Sequence, residues 1–282
     1  MNEQSIKDKL KNVARENHRI YQEVLTLYAL ERTIYRISKS EFNENFTLKG
    51  GIFLYALYDK NYPRSTTDID LRANRISSDE KEIKNVFEQI FSLSFDDGLE
   101  YDLQTLVTKQ ITKLDEYQGI NISVTALLGN IKIPVSVDIG FGDIIVPDRM
   151  EIDFPVLLDF DIPHIYSYSI ESTLAEKFEA IVSLGLANTR FKDFYDIYVL
   201  LQSKKIDDEI LKQVLVQTFA NRNTPFDDIV VFDKDFSSDS ERQKRWTAFT
   251  KKKSALMQVS FGDVILAIKN YFEPLINEIN RK

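Results

Sequence analysis

Cysteine is absent from the 282 residues, which excludes disulfides and thiolate metal sites. Histidine is almost absent. The only two, His18 and His164, stand in no motif and are too few for a histidine-built zinc centre, whereas an oxygen-ligated Mg²⁺ or Mn²⁺ site stays open. No stretch reaches the roughly 18 consecutive apolar residues of a membrane helix. The start, Met1 to Asp8, is polar and unlike a signal peptide. The expectation is a cytoplasmic protein with no membrane partner. An excess of basic charge is missing too. The net charge of −8 argues against a uniformly basic nucleic-acid coat, though not against a local basic patch. Internal repeats and low-complexity tracts are also missing. What is present is apolar and aromatic: 43% hydrophobic residues, with 19 Phe and 13 Tyr. That is enough for a substantial core in one or two domains.

Against this background the run from Lys49-Gly50-Gly51 to Asp68-Ile69-Asp70-Leu71 stands out. It reads as a Gly-Gly turn opening a helix, followed by a strand carrying two acids two residues apart. Side chains at i and i+2 of a strand share a face, so Asp68 and Asp70 project together while Ile69 and Leu71 point to an apolar side. Two carboxylates on one face repel unless a cation lies between them, and Mg²⁺ takes a few carboxylate oxygens together with water and substrate phosphates. Glycines permit close backbone approach to a phosphate, and a helix N-terminus favours an anion. Together they point to metal-assisted transfer to or from a nucleotide.

The apolar spacing predicts helix over about 4–37, with Ile20, Val24, Leu27, Tyr28, Leu30 and Ile34 on one stripe. A short strand at Phe46–Leu48 leads into Gly50-Gly51, and a helix follows from Ile52 to Tyr58. Ser77 or Ser78 is expected to cap the next helix, to about Phe91. Strands are expected at 101–112, 120–127 and 131–139, the last two joined at Gly129-Asn130. Pro134 requires an edge position or a bulge in its strand. Residues 144–165, punctuated by Pro147, Pro155 and Pro163, read as a connection. Helices then follow, one capped by Ser169, with later ones near 207–221, 239–253 and 260–280.

A third acid strengthens the metal reading, because three carboxylates suit two-metal phosphoryl transfer. Asp138, ending a strand on its polar face, is the first candidate, then Asp102, then Asp143. Arg64, Thr66 and Thr67 precede the acidic strand and either contact phosphates or finish a turn. Asp193 and Asp196 share a helix face, with Arg190 and Lys192 near its start. A structural cap with an arginine ion pair explains them equally well. Lys177, by spacing alone, reads as a solvated helix lysine. Arg242, Lys244, Arg245, Lys251, Lys252 and Lys253 interleave with Trp246 and Phe249. Such a segment suits an RNA backbone with an aromatic for stacking, although a tryptophan in this pattern more often faces a core.

Gly50-Gly51 followed by Asp68-x-Asp70 resembles the signature of the DNA-polymerase-β-like nucleotidyltransferase superfamily. More narrowly, the stretches 28–32, 46–51, 64–70, 137–143, 190–196 and 243–249 resemble the AbiEii/AbiGii toxin family, the nucleotidyltransferase half of type IV toxin–antitoxin and abortive-infection systems. The resemblance spans roughly residues 20–280. It implies that Lys49, Gly50, Gly51, Arg64, Thr66 and Thr67 belong to the NTP-binding region, with Lys177 and Asp196. It implies that Asp68, Asp70 and Asp138 hold Mg²⁺ or Mn²⁺, and that Lys177 and Asp193 join them in catalysis. The common superfamily form is Gly-Ser. With Gly51 in the second position, backbone N–H groups must replace the serine hydroxyl.

The expected architecture is an α/β (α+β) nucleotidyltransferase-like mixed sheet with flanking helices. The expected divisions are N-terminal helices at 1–40, the nucleotidyltransferase domain at 41–145 and a helical C-terminal domain at 165–282. The expected activity is transfer of a nucleoside monophosphate from an NTP to an acceptor, with release of pyrophosphate. By the resemblance the acceptor is RNA, a tRNA 3′ end, and a cognate antitoxin is the further partner. The rivals are an NTP-binding module without turnover and a metal-dependent nuclease.

Overall fold

The computed structural model describes residues 2–113, 117–142, 148–227, 229–251 and 258–281. They form helices α1 (Glu3–Glu16), α2 (Tyr21–Lys39), α3 (Gly50–Leu57), α4 (Glu80–Ser92), α5 (Ile170–Leu184), α6 (Phe191–Ser203), α7 (Asp208–Asn221), α8 (Lys234–Ser238), α9 (Ser240–Lys251) and α10 (Phe261–Ile279). The strands are β1 (Phe46–Lys49), β2 (Ile69–Ala73), β3 (Glu100–Lys113), β4 (Tyr117–Leu128), β5 (Ile131–Gly140), β6 (Met150–Asp153) and β7 (His164–Ser167). Two units result. Residues 1–142 with Met150–Tyr168 form the first, and the rest of the described chain forms the second.

The first unit is built on a seven-stranded sheet in the order β3-β4-β5-β2-β1-β7-β6. It is mixed: β2–β5 and β1–β7 pair in parallel, the other neighbours antiparallel. Strict alternation in β5 buries Ile133, Val135, Val137 and Ile139 on one face. Pro134 faces Thr125 of β4, while β2 joins β5 only from Val137 onward. Its missing N–H therefore falls where β5 has a neighbour on one side only, the edge position its sequence requires.

Three local readings are corrected. The N-terminal helical region is two helices, broken at His18, whose φ of 51° interrupts the ladder. Helix α4 is capped by Asp79, which accepts from the N–H groups of Lys81 and Glu82, while Ser77 accepts from Asp79 itself. The stretch read as a connection contains β6 and β7, so the sheet extends past β1 on a side that four-residue strands made hard to recognise.

Helix α2 is nearly enclosed and carries buried charge. Arg36 Nη1 donates to Asp97 Oδ2 at 2.7 Å, and its other N–H groups reach the carbonyls of Leu93 and Leu99. One guanidinium thus pins the loop between α4 and β3. Tyr28 donates to the Asp97 carbonyl at 2.6 Å. Glu31 Oε2 accepts from Leu157 N–H at 2.6 Å, and Arg32 Nε lies 3.0 Å from Glu31 Oε1. These groups hold loops in place of apolar contacts, and each charge is paired, as burial demands.

In the second unit α5 packs on α6 and α7, and α10 on α6, α7 and α8. Phe178 stacks on Phe272 with centroids 4.0 Å apart. Ser169 caps α5 by accepting from Ser172 N–H at 3.0 Å. The five-residue α8 was not legible in the sequence. No described helix is long and apolar enough to cross a membrane.

Burial pushes the Glu31 carboxyl up from 4.5 to about 7, against the opposing pull of Arg32. An acid raised in the folded state contributes stability that is full below its unfolded value and is lost as pH rises through the folded one. Wild-type protein should therefore lose more stability between about pH 4.5 and 7 than a Glu31→Gln variant. Parallel pH profiles in urea unfolding would contradict this.

Candidate active site

Register assembles the first part of the site. Across the sheet Lys49 of β1 faces Asp70 of β2, Asp70 faces Asp138 of β5, Asp138 faces Asn121 of β4, and Asn121 faces Lys109 of β3. Paired residues project from one face, so a single row runs Lys, Asp, Asp, Asn, Lys, with two carboxylates at its centre. Asp68 stands one step along, on the same face as Asp70. The three acids Asp68, Asp70 and Asp138 each offer a carboxylate oxygen within 4.8 Å of the others, all half-buried. Like charges set opposite each other are unfavourable. An all-oxygen donor set of this size fits Mg²⁺ or Mn²⁺.

Asp102, the alternative third acid, is on β3, two strands from β5, and accepts from Gln104 N–H at 3.2 Å. It is not in the cluster. Asp143 lies outside the described residues. Asn121 went unrecognised among the sequence candidates; its amide donates to Asp138 Oδ1 at 2.6 Å and to Ser136 Oγ at 2.8 Å. It turns the Asp138 carboxylate from the neighbouring strand. Only strand pairing could have revealed it.

Gly50 has φ +68°, and a Cβ there would lie 1.9 Å from Asp70 Oδ2 and 2.8 Å from Asp70 Cβ. The turn that starts α3 is thus pressed against the central acid, and only glycine fits. No side chain caps α3, so its first backbone N–H groups remain available to an anion. A Cβ on Gly51 would meet Arg64 Nη2 at 2.8 Å and Thr66 Oγ1 at 3.1 Å. A guanidinium and a hydroxyl therefore cover the helix start where a serine side chain would otherwise stand. Thr66 Oγ1 also donates to the Asp68 carbonyl at 3.2 Å, so the segment that orients Asp68 is the one that covers Gly51. Thr67 N–H lies 3.4 Å from Asp68 Oδ1. Lys49 Nζ sits 5.3 Å from the centre of the Tyr168 ring, a cation over an aromatic face.

The other candidates belong to the second unit. Lys177 of α5 reaches α6, with Nζ 3.0 Å from Asp193 Oδ1 and 2.7 Å from Asp196 Oδ2. Arg190 Nε lies 2.8 Å from Asp193 Oδ2, a close ion pair without hydrogen-bond alignment. Both aspartates are buried, and Lys177 is 9% exposed. The lysine is not a solvated helix residue, since two carboxylates hold its ammonium and tie α5 to α6. Trp246 is 2% exposed and donates to the Val259 carbonyl at 2.8 Å, beside Phe191 and Phe261. Its indole therefore belongs to the core and is not free to stack on a base. Lys244 pairs with Glu241, and Lys252 and Lys253 lie outside the described residues.

A glycine-opened helix against a strand acid, with a second acid in parallel register and a third beside it, is the arrangement of a nucleotidyltransferase. The chain matches the model of the nucleotidyl transferase AbiEii toxins of type IV toxin–antitoxin systems over residues 32–263, and it belongs to that family. Among solved structures it resembles a protein of H. pylori described as a candidate nucleotidyltransferase. The TM-score is 0.52 and the identity 15%, covering 90% of this chain and 94% of that one. It also resembles JHP933 from Helicobacter pylori, with a TM-score of 0.50 and 13% identity over 90% of this chain and 91% of that one. At these identities the likeness is one of fold. No curated protein matches the sequence.

Two substitutions test the geometry. Gly50→Ala drives a methyl into Asp70 and should reduce nucleotidyl transfer by roughly 100-fold or more, the scale of a misplacement of about 1 Å. Gly51→Ala meets the flexible end of Arg64 and, at 3.1 Å, Thr66 Oγ1, which need give only a few tenths of an ångström, and should cost far less. Equal losses in a side-by-side assay would refute the close approach at Gly50. In the second unit Lys177→Met takes a cation away from buried Asp193 and Asp196, and should cost about 3–5 kcal/mol in urea unfolding. A loss below about 1 kcal/mol, the worth of a surface pair, would show that the network does not hold the helices.

Proposed function

We propose that this nucleotidyltransferase moves a nucleoside monophosphate from an NTP to a hydroxyl of RNA, a tRNA 3′ end, in a cytoplasmic toxin–antitoxin system whose cognate antitoxin restrains it. The observation that carries the reaction class is the carboxylate cluster of Asp68, Asp70 and Asp138 beside the open N-terminus of α3. The acceptor oxygen forms a bond to the α-phosphorus, and the bond from that phosphorus to the bridging oxygen breaks. Pyrophosphate leaves with the electron pair, and the hydroxyl proton departs through Asp138 to solvent.

The residues divide this work. The backbone N–H groups at Gly50 and Gly51, with Arg64 and Thr66 above them, receive the β- and γ-phosphates. Lys49 and Thr67 complete the NTP-binding region. Asp68, Asp70 and Asp138 would hold Mg²⁺ or Mn²⁺. A cation held there would supply charge neutralisation at the transferred phosphate and a lower pKa for the attacking hydroxyl. Asn121 keeps Asp138 oriented. Lys177, with Asp193 and Asp196, serves the reaction as a pre-set cation whose position the two acids fix. The family's character as a toxin supports RNA as the acceptor.

The test pairs the protein with each labelled NTP, cellular RNA and Mg²⁺, beside an Asp70→Asn control. Label should enter RNA with the wild type only, and only with metal present. Shortened RNA without NTP would instead mark a nuclease. NTP binding with no labelled product would mark a binding module.

A further inference from the structure

A cavity of about 360 Å³ opens in the first unit along the edge of β5 that β2 has not yet joined, lined by Thr67, Thr105, Ser123, Thr125, Pro134 and Ser136 among others. Among the described residues no charged side chain lines it. Ser136 and Pro134 alternate on the strand face that carries Asp138, and Ser123 and Thr125 face them from β4. The cavity is coupled to the acids at two points. Thr67 directly precedes Asp68, and Ser136 Oγ shares the Asn121 amide with Asp138 Oδ1.

The position relative to the phosphate cradle decides the occupant. Gly50 presses on Asp70 from the β1 side, whereas the cavity lies on the β5–β4 side. In phosphoryl transfer the attacking and leaving oxygens are roughly in line. Pyrophosphate leaving toward Gly50 and Gly51 therefore requires the attacking hydroxyl to arrive from the β5 side. The lining fits an uncharged, hydroxyl-bearing group: Ser and Thr hydroxyls both donate and accept, and threonine methyls with Pro134 offer an apolar surface to a base. The described lining offers no cation to a phosphate. The volume sits at the small end of the roughly 300–1,000 Å³ of ligand sites, room for one residue of a chain.

We infer that this groove binds the terminal nucleoside of the RNA acceptor, its sugar hydroxyl directed at Asp138 and its base held by the Ser and Thr side chains of β4 and β5. The inference rests on the nucleotidyl-transfer reading above and adds the place where the acceptor sits.

Ser123→Phe fills the groove. Ser123→Val replaces the hydroxyl with an apolar branch far smaller than phenylalanine and guards against a folding failure of the larger variant. Both are assayed on unfractionated tRNA, with KM for RNA and for NTP measured separately and folding checked by thermal melting. The expected result is at least a tenfold rise in KM for RNA with Ser123→Phe, a smaller rise with Ser123→Val, and KM for NTP within twofold of wild type. A rise in KM for NTP alone would give the groove to the nucleotide donor and overturn the inference. Unchanged constants in folded variants would overturn it too, as would label entering protein rather than RNA. A wild type that binds NTP but labels no RNA removes the transfer reading itself, and that outcome is distinct from an active wild type with indifferent variants.

Discussion

The parallel pairing of β2 with β5 sets Asp70 directly against Asp138, and the site depends on this register. A slip of one residue would turn one of the two acids to the apolar face. The register is secured from behind, where Ile69 and Leu71 of β2 and Val137 and Ile139 of β5 are fully buried or nearly so. The hydrophobic alternation that drives the sheet together is therefore what brings the acids together. Repulsion between the carboxylates is a local cost imposed by a register that the core fixes. Gly50 adds the second constraint, because its backbone occupies the space beside Asp70 that any side chain would need.

The rest of the first unit keeps that row in place. Arg36 and Asp97 hold the loop that leads into β3, and Glu31 with Arg32 holds the segment between β6 and β7. Buried ion pairs are a poor source of net stability, yet the loss of one partner is expensive. In α2 they specify which loop goes where, which apolar contacts alone would leave undefined. The second unit uses the same device, with Lys177 bridging two buried aspartates.

Much of this was legible in the residues. The acid pair follows from strand alternation, and the glycines and the three long strands from turn signals and periodicity. Asp138 could be ranked first because it ends a strand on its polar face, but its pairing with Asp70 depends on a contact between segments nearly 70 residues apart. Asn121 was invisible for the same reason: an asparagine in a strand of alternating polarity looks like any exposed residue. Strands β6 and β7 were missed because four residues carry too little periodicity and the flanking prolines mimic a linker. Lys177 read as a surface lysine because its two partners lie on the following helix, and nothing in α5 announces them. Trp246 shows the converse: the mixed pattern around it already favoured a ring in the core over an RNA surface, and the ring is buried there.

The most direct test of the central arrangement is anomalous diffraction from crystals grown with Mn²⁺ and a non-hydrolysable NTP analogue. The expected result is a Mn²⁺ peak bounded by the carboxylates of Asp68, Asp70 and Asp138, with the analogue's phosphates against the backbone N–H groups of Gly50 and Gly51. A peak at other side chains, or phosphates bound away from the start of α3, would contradict it.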